Sequence, residues 1–205
     1  METMSISEYN RLVNKGLRIS ADECVLRNTL SNAAGMHFEK DILRGCEKYR
    51  QQGIAVINKV AEPYRVLRNN RDGSFYGRHT GKAEPDFKGV LIGGRAVAFE
   101  AKSTSKTRIQ KSAVTVEQAE WLEEQFNMGA VAFVCVFIRE WVFSVPWQVW
   151  RDMKVIYGKR YLLPDDIKRF RVDYHPDGVR FLEYVDGGDY LGLRECVAVG
   201  EKEEL

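Results

Sequence analysis

A chain of 205 residues and 23.6 kDa is long enough for one well-filled domain with short appendages. With 44% hydrophobic and 29% charged residues it is not a disordered chain, and a net charge of only +2 excludes nucleic-acid binding through bulk charge, leaving local basic segments to supply it. Cys24, Cys46, Cys135 and Cys196 form no C-x-x-C pair, which argues against a zinc site or a disulfide framework and for reduced thiols. The first residues lack a basic and then apolar leader, and no apolar run approaches the roughly 18 residues of a membrane span. These features predict a soluble, cytoplasmic protein without a membrane partner.

In chain order, residues 1–32 show weak periodicity and read as an arm, and 33–186 as the folded domain. Phe38, Ile42, Leu43, Cys46 and Tyr49 recur at helical spacing, and Gly53 is placed to end that helix. Ile54 to Ile57 reads as a strand. An excursion at about 62–84 follows, with Arg65, Arg68, Arg71, Arg78 and Lys82 against the single internal acid Asp72. Asp86 to Leu91 and Arg95 to Lys102 then form a hairpin around Gly93-Gly94. The acid-free stretch from Lys102 to Lys111 adds Lys106, Arg108 and Lys111 to the basic segments available for nucleic-acid binding. Thr115-Val-Glu-Gln118 resembles a capping box opening a helix that ends near Gly129. Ala130 to Ile138 is an apolar run of the kind buried on both faces, with Trp141 to Val145 as its neighbour. Helical turns at 146–156 and 164–170 and a strand pair at 171–173 and 179–184 complete the domain, and 187–205 reads as a fraying tail.

The chemistry concentrates in Arg95-Ala-Val-Ala-Phe-Glu-Ala-Lys102. Side chains alternate along a strand, so Glu100 and Lys102 project from one side. Asp86 and Glu100 together would suit magnesium, which needs one or two carboxylates plus substrate phosphate, with the Ala101 carbonyl as a further ligand. An ammonium at Lys102 would hold an attacking water or offset charge on the phosphorane. This pattern points to metal-dependent phosphodiester cleavage. It carries a condition: a two-residue turn at Gly93-Gly94 would pair Asp86 with Ala101 and turn it away from Glu100, whereas a three-residue loop or a bulge aligns them.

The succession of a helix containing Gly35-Met-His-Phe-Glu39-Lys-Asp41-Ile, the strand ending in Lys59, the excursion, Asp86, Phe99-Glu100-Ala101-Lys102 and Gln118 resembles the PD-(D/E)xK nuclease superfamily. Within it the chain is most similar to RecU-type Holliday junction resolvases. The resemblance implies an α/β, restriction-endonuclease-like fold, with a mixed central sheet flanked by helices and a protruding stalk-like excursion. It further implies a homodimer that cuts opposed strands of a four-way DNA junction with Mg2+, for which Mn2+ substitutes, leaving 5′ phosphates and working beside a recombinase or branch-migration helicase in a bacterial cytoplasm. By resemblance Asp86, Glu100 and Glu39 are metal ligands, Lys102 positions water, Gln118 orients the site or touches phosphate, and Arg65, Arg68, Arg71, Arg78 and Lys82 meet phosphates from the stalk.

Blander readings stand beside these. Glu39 in a first helical turn complements the helix dipole, and Asp41 or Glu84 competes for its place. Gln118 serves equally as the N3 member of a capping box. The excursion arginines read also as a solvated loop. Other substrates for the same chemistry are DNA ends, flaps or duplex sites, and a vestigial DNA-binding module is the non-enzymatic alternative.

Overall fold

The protein is described from a computed structural model over residues 37–61, 64–69, 75–79 and 84–193, the second and third of these stretches by backbone course and pairing. Helix α1 runs through 37–51. Strands follow at β1 (Ala55–Lys59), β2 (Tyr64–Asn69), β3 (Phe75–His79), β4 (Phe87–Leu91), β5 (Ala96–Thr104) and the short β6 (Ile109–Gln110). Helix α2 (Val116–Asn127) leads to β7 (Val131–Ile138) and β8 (Trp141–Pro146), then α3 (Trp147–Arg151) and α4 (Met153–Tyr157). A short β9 (Tyr161–Leu162) precedes β10 (Arg171–His175) and β11 (Gly178–Tyr184).

The main sheet has seven strands in the order β1-β4-β5-β7-β8-β10-β11. Its centre is the parallel pair β5 and β7, joined by α2 as a crossover, and every other neighbour is antiparallel. The sheet is therefore mixed, as the sequence implied. Two smaller ribbons stand apart from it, β2 with β3 and β6 with β9. The first occupies the excursion; its register sets Arg65 opposite Arg78 and Arg68 opposite Tyr76. Arg71 and Lys82, the arm at 1–32 and the end of the tail from 194 lie outside the described residues.

Two chemically distinct faces result from the strand alternation. On one, Phe87, Phe99 and Phe133 stack with centroids 4.9 and 4.5 Å apart, and Phe181 joins at 4.9 Å from Phe99. Tyr49 meets Phe181 edge-on and Phe38 stacks on Phe137, so α1 and the β10–β11 hairpin cover this phenyl face. The opposite face packs against α2, whose Leu122 is fully buried. β7 is buried almost throughout, as its apolar run requires.

Some details differ from the sequence pattern. Leu43, placed on the apolar stripe of α1, is exposed, and Asp41 is buried instead because Arg44 and the Tyr174 hydroxyl both bind its carboxylate. Residues 187–193 do not fray: Tyr190 packs edge-on against Phe170 and Tyr184, Leu191 is buried, and the Arg95 guanidinium donates to the Gly192 carbonyl at 2.8 Å. Cys46 and Cys135 are buried free thiols whose pKa values burial raises, Cys46 to about 12, which makes them poor nucleophiles. Among the described residues no helix is long and apolar enough to cross a membrane.

The seat of α1 depends on two glycines. A Cβ on Gly45 would lie 2.2 Å from the Val179 carbonyl oxygen, and one on Gly178 would lie 2.3 Å from the Gly45 nitrogen. Gly45→Ala is expected to lower stability by about 3 kcal/mol, because backbone rather than a movable side chain stands in the way. Urea unfolding measures this, and an unchanged midpoint would show that α1 can shift freely.

Candidate active site

The β4–β5 hairpin turns through Ile92-Gly93-Gly94. The Leu91 N–H donates to the Arg95 carbonyl at 2.8 Å and the Gly94 N–H to the Leu91 carbonyl at 2.9 Å, closing a three-residue loop. Gly93 and Gly94 have φ values of 83° and 86°, which only glycine adopts readily. Pairing then runs Phe87 with Phe99, and one step further places Asp86 opposite Glu100 on the same face. This is the register that the metal-site reading required.

The end of β4 prepares Ala101 in a particular way. Residues Arg95, Val97 and Phe99 turn their main-chain groups toward β4, and so does Ala101, whose N–H donates to Asp86 Oδ2 at 2.9 Å. In that register the residue facing Ala101 is the buried Pro85, which has no N–H to offer its carbonyl. The observed ladder ends at Phe87 and Phe99, and Pro85 has no N–H with which to extend it toward Ala101.

Glu100 is fully buried. Its Oε2 accepts from Lys102 Nζ at 2.7 Å and from Gln118 Nε2 at 2.8 Å, while Lys102 Nζ also lies 3.8 Å from Asp86 Oδ2. Gln118 is the N3 member of the capping box, its Oε1 accepting from the Thr115 N–H at 3.1 Å, and its amide nitrogen also reaches Glu100. The capping box at the start of α2 is complete and aims that amide. Burial, and then the negative charge of Asp86, push the Glu100 carboxyl up to about 8, with Lys102 pulling the other way. Its second oxygen, Oε1, is buried with no hydrogen-bond partner.

An orphaned buried carboxylate oxygen and a half-buried carboxylate that share Lys102 supply hard oxygens that fit a divalent cation. Among the described residues no three His, Cys, Asp or Glu side chains gather closely enough to hold a metal by themselves. Two carboxylates remain sufficient where substrate phosphate and water complete the shell.

The structure does not bring Glu39 to this group. Its carboxylate pairs with Lys59, which is opposite Phe87 in the register and so lies on the phenyl face, away from Glu100. Lys59 was not singled out from the sequence as a partner, since an acid on a helix and a base on a strand share no periodicity. The competing acids are occupied elsewhere: Asp41 by Arg44 and Tyr174, and Glu84 by Lys88. Lys106 and Arg108 are exposed on the segment leaving β5, whereas Lys111 is partly buried and donates to the Arg151 carbonyl.

The family model for Recombination protein U matches residues 33–186. No curated protein matches the chain at a significant level. Among solved structures, one similar chain is Hjc of Archaeoglobus fulgidus, a Holliday junction resolvase from an archaeal hyperthermophile. It is 20% identical, with a TM-score of 0.37 over 57% of this chain and 75% of that one.

Glu100 should carry a stability cost in the metal-free protein. The folded state holds its proton to about pH 8, whereas the unfolded glutamate ionises near 4.5, so wild-type stability falls as pH rises through that window. Glu100→Gln cannot ionise and is expected to raise the Tm in EDTA, with a gain that grows between those two pH values. Thermal unfolding across the window checks the sign, and a gain that shrinks with rising pH would contradict it.

Proposed function

The chain belongs to the Recombination protein U family, and on that premise we propose that it resolves Holliday junctions by cutting DNA at the cluster of Asp86, Glu100 and Lys102. It is an endonuclease that depends on a divalent metal. The observation that carries the site assignment is the buried Glu100, which has one oxygen tied by Lys102 and Gln118 and the other left without a partner beside Asp86. Such an arrangement is costly in a protein with no cation to receive and useful in one that binds it.

In this reading Asp86, Glu100 Oε1 and the Ala101 carbonyl would hold Mg2+, for which Mn2+ would substitute, and the ion would supply Lewis acidity that lowers the pKa of a water and offsets negative charge on phosphate. Gln118 keeps Glu100 Oε2 engaged, so that Oε1 remains the oxygen offered. Lys102 stands between the two carboxylates, and its ammonium holds the attacking water or meets the growing negative charge on phosphate. The Asp86 side chain anchors the Ala101 N–H and thereby the carbonyl of the same residue. Glu39 would join only by giving up Lys59, so its contribution is secondary to that of Asp86.

The β2–β3 ribbon outside the main sheet suits the stalk, with Arg65 and Arg78 at one register position on it and Arg68 nearby for phosphate contacts. Opposed cuts in two strands need two such sites related by a two-fold axis, which makes the working form a homodimer. A recombinase or branch-migration helicase is the expected partner in the cytoplasm.

Wild-type protein with Mg2+ is expected to cut a mobile four-way junction in preference to matched duplex and flap DNA, leaving 5′ phosphates, and to stop in EDTA. Equal cutting of all three substrates would sink the resolvase assignment. Asp86→Asn and Lys102→Ala should each lower the cutting rate by about a hundredfold or more while junction binding persists, and Glu39→Gln should lower it less. Native mass measurement tests the dimer.

A further inference from the structure

The segment from Lys102 to Gln118 leaves the catalytic cluster at one end and returns to it at the other, since Lys102 and Gln118 both bind Glu100 Oε2. What lies between is therefore tethered at both ends to Glu100. Within it β6 pairs antiparallel with β9, Ile109 opposite Leu162 and Gln110 opposite Tyr161, and the Lys111 N–H extends the ribbon by donating to the Arg160 carbonyl at 2.9 Å.

Alternation sorts the ribbon's side chains. Ile109 and Leu162 are buried, so Gln110 and Tyr161 face outward, together with Arg108 and Lys159 two positions before them. Both cations settle on one ring: the Arg108 guanidinium lies 4.6 Å from the Tyr161 centroid and the Lys159 ammonium 5.0 Å. Asp166 balances Lys159 at 2.7 Å. Arg108 and the exposed Arg160 have no carboxylate partner among the described residues, and neither does Lys106. Arg160 and Lys111 also border a groove of about 670 Å3 whose far wall carries Thr115, Val116, Glu120 and Glu123 of the α2 N-terminal region, Glu123 being paired with Arg151. One unbalanced cation is thus oriented by an aromatic ring, and another borders a groove that reaches Thr115, whose N–H is bound by the same Gln118 that contacts Glu100.

We propose that the β6–β9 ribbon is a second nucleic-acid contact, binding the phosphodiester backbone of the DNA arm next to the cut phosphate through Arg108 and Lys159 on its outward face and Arg160 on its groove side, with Tyr161 as the platform that fixes the first two. This rests on the nuclease reading above and adds Lys159, Arg160 and Tyr161 to it. Phosphate is the ligand that the chemistry selects, because guanidinium groups suit its oxygens and no base-reading carboxamide other than Gln110 shares the outward face. The ribbon then positions the substrate without reading its sequence.

Binding of a four-way junction, measured with Ca2+ in place of Mg2+ over a range of salt, tests the proposal. Arg160→Ala should weaken binding about tenfold and reduce the slope of log affinity against log salt by about 0.9, the value for one lost phosphate contact. Tyr161→Leu should weaken binding comparably and Tyr161→Phe restore it, since the ring and not the hydroxyl does the positioning. Lys48→Ala, on α1 at the opposite face, serves as the control and should leave both quantities unchanged. Junction binding by the wild type with affinity and slope unaltered in Arg160→Ala and Tyr161→Leu would overturn the ribbon contact and leave the nuclease reading intact. A wild type that does not bind the junction would overturn both.

Discussion

The pairing register between β4 and β5 is the constraint on which the rest of the site depends. Strand side chains repeat every two residues, so a slip of one would send Asp86 to the phenyl face and Phe87 to the face of Glu100. Neither outcome is tolerable: a carboxylate would enter the Phe99 stack, and a phenyl would meet the polar cluster. The three-residue loop at Ile92-Gly93-Gly94 enforces the correct alignment from one end. The stacking of Phe87 on Phe99 and of Phe99 on Phe133 enforces it from the other. The core that stabilises the sheet and the paired acids of the candidate site are thus two faces of one alignment.

That alignment places a carboxylate where a protein acting for stability alone would not. Glu100 has no solvent to spread its charge, and Lys102 and Gln118 satisfy only one of its two oxygens. An ionised acid so placed is destabilising until a cation arrives, which is why the proton is held to unusually high pH. One acceptor is thus left unsatisfied, and a stable fold of buried phenyl rings beneath it tolerates the cost.

Much of the site was legible because it rests on local rules. The alternation in Phe99-Glu100-Ala101-Lys102 put Glu100 and Lys102 on one side, and the hairpin argument made the loop length decisive for Asp86. The Thr115 to Gln118 capping box was equally plain, although spacing alone did not show that the same glutamine also reaches Glu100. Other features were hidden because their partners are remote. Asp41 sits on the buried side of α1 only because Tyr174, far along the chain, supplies a hydroxyl there. Glu39 is engaged by a lysine on a different element. β6 and β9 are two residues each, too short for any periodic signal, and Tyr161 becomes a platform for Arg108 only once they pair.

By itself the sequence determined the strand and helix pattern of the domain, the acid and lysine pair on one strand face, and the basic character of the excursion. These follow from backbone periods and turn chemistry that act over a few residues. Only the tertiary structure decided that Glu100 is sealed from water with one oxygen unmet, that Gln118 reaches it, that Lys59 engages Glu39, and that Arg108 and Lys159 settle on the Tyr161 ring. Burial and partner choice are properties of contacts between distant segments, and a charged group's chemistry is set by what surrounds it in space.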